Sequence, residues 1–208
     1  MGMENQWTMQ PIGYVRSDFK EKFGIPRQSG RAPALRAEIY FEKNIPQNAF
    51  KEIEKFSHIW IVFIFSQTQA QGWHATVRPP RLGGNKRVGV FASRSPFRPN
   101  PVGLSCVKLE KIELHGESTV LTVSGADLLD GTPVLDIKPY IPYADCQTQA
   151  IGGYADEQKD YHLQVVFPNE LLQKIPLQKQ EGLLQCLADD PRPSYQDDCT
   201  RLYGMSFN

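Results

Sequence analysis

Between residues 89 and 105 the chain runs GVFASRSPFRPNPVGLS, and there Arg94, Ser95, Arg98 and Asn100 crowd around Pro99 and Pro101. Guanidinium, hydroxyl and carboxamide groups at that density suit the binding of an anion. Proline fixes φ and carries no amide proton, so the polar groups are held in place and less entropy is lost when a ligand arrives. Gly89 and Gly103 bracket the stretch, and glycine lets a ligand approach the backbone closely. An ordered surface loop rich in turn formers has the same composition, so the charge context matters. Lys55, Arg78, Arg81, Lys86, Arg87, Arg94, Arg98 and Lys108 stand with no Asp or Glu between Glu54 and Glu110, in a chain of formal net charge zero. The excess is therefore local, as an anion-recognition surface requires. Phosphate is the natural anion. With Trp73, His74, Phe91 and Phe97 interleaved, the pattern suits a polynucleotide, whose backbone meets cations and whose unpaired bases stack on rings.

Two further stiff turns carry arginine. Pro26-Arg27-Gln28 lies in an irregular basic stretch from Ser17 to Arg36, and Asp190-Pro-Arg-Pro-Ser-Tyr195 lies near the end. Asp127, Asp130 and Asp136 are close in sequence around the Asp130-Gly131 pair. Aspartates at such a turn commonly bond their own backbone, and their spacing is not that of a calcium loop. Cys106, Cys146, Cys186 and Cys199 form no CxxC pair, so neither a zinc site nor a disulfide framework is indicated. No metal is expected.

The elements that must hold these groups read as mainly β. Strands are predicted over Pro11–Arg16, Leu35–Glu42, His58–Ser66, Val88–Ala92, Leu104–Leu114 and Ser118–Ser124, the last two forming a hairpin across His115-Gly116. HIWIVFIFS is unbroken apolar sequence, expected of a strand covered on both faces or lying at a subunit interface. A short helix is predicted over Pro46–Phe56, and ADLLDGTPVLDIKPY reads as two apolar pieces joined by a tight turn. Leu163–Phe167 reads as a further strand, and Asn169–Ala188 as helix interrupted at Pro176. At 208 residues the chain can bury one core with a small appendage. The expected division is a flexible tail at 1–10, a barrel domain at 11–145 and a small mixed α+β subdomain at 146–208. No apolar run approaches the ~20 residues a membrane helix needs, and no basic flank with an apolar run opens the chain, so a cytoplasmic protein is expected.

Six ordered motifs then carry a resemblance: IGYVRSDFKEKFGIPRQSG, FSHIWIVFIFSQ, VRPPRLGG, GVFASRSPFRPNPVGLS, DLLDGTPVLDIKPYIPY and DPRPSY. From Ile12 to about Tyr195 the chain resembles the TsaA-like family, specifically the TrmO-type tRNA methyltransferases. The resemblance implies a small antiparallel β-barrel that binds S-adenosylmethionine (SAM), methylation of N6 of threonylcarbamoyladenosine beside the tRNA anticodon, and a homodimer with the cofactor near the subunit interface. In keeping with it, no strand here leads into a GxGxxG turn. Motif by motif, cofactor contacts would fall on Pro26, Arg27, Gln28, Ser66, Gln67, Arg94, Leu104, Leu128, Leu129, Asp130 and Gly131. Arg78, Arg81, Arg98 and Arg192 are assigned to tRNA. Asp130 is the first candidate for the base that removes the N6 proton, with Tyr40 second. Longer bacterial members continue past the equivalent of Tyr203, so weaker tRNA docking with intact donor binding is expected here. The alternative is a non-catalytic SAM- or nucleotide-binding module that interacts with RNA.

Overall fold

In a computed structural model of the protein, residues 7–82, 86–192, 198, 200–205 and 207 are described. The strands are β1 (Gly13–Arg16), β2 (Arg36–Phe41), β3 (His58–Ile64), β4 (Thr76–Val77), β5 (Val88–Gly89), β6 (Val102–His115), β7 (Ser118–Ser124) and β8 (Pro133–Pro139). Six of them close an antiparallel barrel in the order β1-β2-β7-β6-β3-β8, while β4 and β5 form a separate two-stranded ribbon. The small antiparallel barrel expected from the sequence is thus present.

Alternation decides which side chains fill it. In β3, Ile59, Ile61 and Phe63 point inward and are buried, while His58, Trp60, Val62 and Ile64 remain half-buried on the outside. With Val15, Ile39, Val107, Leu121, Val123 and Val134 they form the core. The outer face of β3 is partly covered: the Trp60 ring lies 5.8 Å from that of Tyr140, and its Nε1 donates to Asp145 at 3.0 Å. β6 is long enough to serve two neighbours, pairing with β3 through its first half and β7 through its second. A register shift between Leu109 and Lys111 marks the corner, where an extra residue bends the strand.

Several expectations fail in informative ways. Pro46–Phe56 forms two short 3₁₀ turns, Gln47–Phe50 and Ile53–Lys55, because Glu52 at φ 69° breaks the run between them. Val88–Ala92 is strand only to Gly89 and then a 3₁₀ turn. The tight turn expected at Asp130-Gly131 is present and leads into β8, while residues 126–129 before it pair with no strand. Leu163–Phe167 is not a strand either: its recorded main-chain bond runs from Leu163 to the Ala188 carbonyl, with no ladder partner.

After β8 come α1 (Pro142–Asp145), α2 (Asn169–Leu172) and α3 (Leu177–Ala188), with Pro176 at the N-terminal edge of α3 as the sequence implies. α3 packs on the irregular 17–35 stretch. Cys186 joins Phe19, Ala32 and Leu35 in a second buried cluster. A Cβ on Gly182 would come 2.9 Å from the Leu35 side chain, which shows how closely the helix approaches. Gln185 accepts the Ala34 amide proton at 2.8 Å, and Lys179 is paired with Asp18. The long loop has no regular element, yet these contacts fix its course.

Candidate functional site

The stretch after β3 turns at Phe65 into a 3₁₀ segment, Ser66–Gln71, that leaves Ser66 and Gln67 exposed at the barrel mouth. Opposite lie the turn from Asp127 to Thr132 and the loop carrying Ile25. Together they enclose a cavity of about 200 Å³ lined by Ile25, Phe63, Phe65, Leu128, Leu129 and Pro96, with Lys22, Ser66, Gln67, Thr68 and Asp127 among its polar groups. That is smaller than the roughly 300–1,000 Å³ of pockets for drug-sized ligands. It fits one apolar portion of a ligand, and the polar remainder must lie along its rim.

The rim is built by hydrogen bonds across distant segments. Arg94 donates to the Gln28 side chain, and the Ser105 hydroxyl donates to Asp127. Burial pushes the Asp127 carboxyl above the usual carboxylate range, although the Ser105 bond, the Arg94 charge and the Ser29 amide pull the other way. A largely buried carboxylate beside an apolar slot, facing a guanidinium, is a site for a ligand bearing both positive and negative charge. Ser105 is the residue the sequence reading missed. It occupies an inward position of an alternating strand and is buried, and a polar residue at an inward register is the signal that finds it.

The sequence-predicted residues divide. Ser66, Gln67, Leu128 and Leu129 line one cavity, with Gln28 and Arg94 joined nearby. Asp130 and Gly131 face the other side of the same turn, where Tyr14, Arg16, Tyr40, Glu42, Lys43 and Ser118 surround an open concavity of about 460 Å³. The charges there are largely compensated: Lys20 pairs with Asp130 at 2.6 Å, Lys43 with Glu117 at 2.9 Å, and Tyr40 donates to Glu38 at 2.9 Å. Burial raises the Asp130 carboxyl, but the Lys20 bond and the Ser17 amide outweigh it and hold the group below its ordinary value. Tyr40 is raised, chiefly by its bond to Glu38. The Lys20 pair thus stabilises the ionised form of Asp130, and the Glu38 bond stabilises the protonated form of Tyr40.

Arg27 is held by the segment that follows α3. Pro26 is buried beside it, and the Arg27 guanidinium donates to the main-chain carbonyls of Asp190, Pro191 and Arg192, the last at 2.6 Å, instead of turning to the cavity. The carboxylate of Asp189 accepts the Arg27 amide at 3.3 Å and the Arg31 Nε at 2.8 Å. Arg98 donates to the carbonyls of Val90 and Ser93, and Arg192 is paired with Asp190. Arg78 is exposed, and the Arg81 side chain lies outside the described residues. Leu104, paired with Val62 in register, points outward from the barrel and is 52% exposed. Among the described residues no group of three or more His, Cys, Asp or Glu side chains could hold a metal ion, and no helix is long and apolar enough to cross a membrane.

These features define a ligand-binding antiparallel β-barrel with a polar, cationic rim, unlike the doubly wound sheets that hold dinucleotides at a glycine-rich turn. Residues 14–146 match the family model of the tRNA-methyltransferase O N-terminal domain. The chain belongs to that family. Over 199 residues it is 44% identical to the tRNA (adenine(37)-N6)-methyltransferase of Escherichia coli strain K12, across 92% of this chain and 85% of that one. It is 36% identical over 148 residues to a Pyrococcus abyssi protein described as "Probable S-adenosyl-L-methionine-binding protein", across 71% and 76% of the two chains. The crystal structure of TrmO from Pseudomonas aeruginosa superposes with a TM-score of 0.75 at 37% identity, covering 98% of this chain and 89% of that one.

Proposed function

We propose that this chain is a SAM-dependent tRNA methyltransferase that methylates N6 of adenine 37, the base beside the anticodon, in its threonylcarbamoyl form. One observation carries the reading. Ser66 and Gln67 lie some sixty residues from Leu128 and Leu129 in sequence, yet these four residues, which the family resemblance assigns to the donor, line a single cavity with Asp127 in its wall.

When bound, SAM supplies a methyl group already activated on a sulfonium. The chain's own task is alignment, which is worth roughly 7–11 kcal/mol in well-oriented systems. Phe63, Phe65, Leu128 and Leu129 offer an apolar wall for a flat ring, and the exposed Ser66 and Gln67 offer hydrogen bonds beside it. Arg94, held by Gln28, presents a guanidinium to a carboxylate. Each turnover breaks one carbon–sulfur bond, forms one carbon–nitrogen bond and releases a proton from N6. Asp127 takes that proton, because its carboxyl lies in the wall of the cavity and is oriented by Ser105, whereas Asp130 is paired with Lys20 and lines the other concavity.

The exposed Arg78, Lys86 and Arg87 gather tRNA phosphate. Residues 11–145 carry donor binding, and residues 189–192 after α3 buttress the Pro26–Gln28 loop. The outward face of Trp60, Val62 and Leu104 is the surface for a second copy of the chain, and the protein works in the cytoplasm on its tRNA. The test is transfer of labelled methyl from SAM to tRNA with and without the threonylcarbamoyl group, beside a calorimetric titration of SAM alone. Incorporation into modified tRNA only is expected; SAM binding without incorporation into either tRNA sinks the enzymatic reading.

A further inference from the structure

The cationic loop carries one aromatic ring that the donor site does not use. Phe91 sits in the 3₁₀ turn Val90–Ala92 and is 78% exposed. An exposed ring on a mobile loop would mean little, but this one is pinned. Val90 is buried and donates its amide to Ala75 of the neighbouring strand connection at 3.0 Å. The Ser93 hydroxyl donates back to the Val90 carbonyl at 2.8 Å. Arg98, itself fixed to the carbonyls of Val90 and Ser93 at 3.2 and 2.7 Å, places its guanidinium carbon 5.8 Å from the centre of the Phe91 ring.

The arrangement is a flat ring with a cation behind it and its exposed surface turned to water. His74 and Phe97, the other pair from the same loops, instead pack on each other at 5.4 Å. Around Phe91 the charge is of one sign in sequence, since no Asp or Glu occurs between Glu54 and Glu110. Three residues further on, Arg94 makes its bond to Gln28 beside the cavity. A base with a free π face is the ligand that meets a fixed ring and surrounding cations together; a paired duplex presents phosphate but no base face.

We propose that Phe91 is a stacking platform for one unpaired base of the RNA loop that contains the target adenine, so that the protein selects single-stranded loops over duplex RNA of equal charge. Arg98 is the positioning residue that holds the ring, and this inference rests on the tRNA reading above. The platform is tested on the full chain in two arms. In the first, fluorescence anisotropy without SAM compares a short unpaired oligoribonucleotide with a blunt duplex, for wild type and for Phe91→Ala, Phe91→Leu and Phe91→Trp. The wild type should prefer the single strand. Ala and Leu should both abolish that preference, and Trp should retain it, since Leu keeps apolar area but has no π face. In the second arm, KM for modified tRNA should rise about 10- to 100-fold in Phe91→Ala, the scale of one lost stacked base, with SAM affinity and melting temperature unchanged. Equal wild-type affinity for strand and duplex, or full rescue by Leu, overturns the platform. A wild type that prefers the strand yet methylates no tRNA leaves the platform standing and sinks the enzymatic reading instead.

Discussion

Removing Arg31 tests how the chain holds its donor loop. Arg31 donates Nε to Asp189 at 2.8 Å, and its two terminal nitrogens donate to the carbonyls of Lys159 and Tyr161, the second at 2.8 Å. Asp189 is only 2% exposed and also accepts the Arg27 amide, so Arg31→Ala takes the cation from a buried carboxylate that organises Pro26–Gln28. Breaking such a pair costs about 3–5 kcal/mol when both partners are buried. The Arg31 side chain keeps 20% of its surface in water, which screens the interaction and brings the expected cost to about 2–3 kcal/mol. For a chain of this size each kcal/mol lowers the melting temperature by about 2–4 °C, so scanning calorimetry should show a fall of about 4–12 °C. SAM affinity, measured by titration below the melt, should weaken about tenfold as Gln28 loses its register against Arg94. A variant that melts with the wild type would refute the idea that this ion pair anchors the loop.

Other perturbations probe the cavity directly. Asp127→Asn should slow methyl transfer by roughly 10²–10⁴ if the carboxylate takes the N6 proton, measured as labelled methyl incorporation. Because burial raises the Asp127 carboxyl in the fold, the native state holds that proton more tightly than the unfolded chain, and the wild type loses stability as pH rises through the interval between the two values. The variant should therefore melt above wild type at pH 7, with the gap closing as pH falls towards 4, the ordinary aspartate value. A Cβ on Gly103 would lie 2.2 Å from the Phe63 ring, which lines the cavity, so Gly103→Ala should cost roughly 1–3 kcal/mol of stability by overpacking and weaken SAM binding in the same titration. In native alkylation followed by peptide mass mapping, exposed Cys146 should label readily. Cys186, buried and with its thiol pushed up to about 12, chiefly by desolvation, should label only after unfolding.

Much of the barrel was legible because its strands alternate. β7 matches its predicted bounds, and β2, β3 and β6 differ from theirs by no more than two residues at either end. Period-2 patterning reports a half-buried wall directly. The 46–56 segment misled because a single left-handed residue, Glu52, is invisible to periodicity. At the candidate site, motif resemblance picked out Ser66, Gln67, Leu128 and Leu129, and the fold brings these four to one cavity. Arginine roles were the least legible part. Arg27 faces carbonyls more than 160 residues away in sequence, and Arg98 faces carbonyls within its own turn, and neither choice leaves a mark on composition. Asp127 and Asp130 are three residues apart but line different concavities, a separation that sequence spacing does not reveal.

The cylinder is not equally strong all round. β1 and β8 share the shortest ladder of the barrel, two register pairs, Gly13 with Val134 and Tyr14 with Pro133, continued by main-chain bonds from Ile12 to Val134, Val15 to Thr132 and Gly131 to Val15, whereas β3 and β6 share seven pairs. The β1–β8 junction is therefore the cheapest place for the wall to gape, and its amides should exchange with deuterium well before those of β3. Thr132, which leads into that junction, also lines the cavity beside Asp127. Fraying of that short ladder would therefore loosen one wall of the cavity before it disturbed the longer β3–β6 pairing.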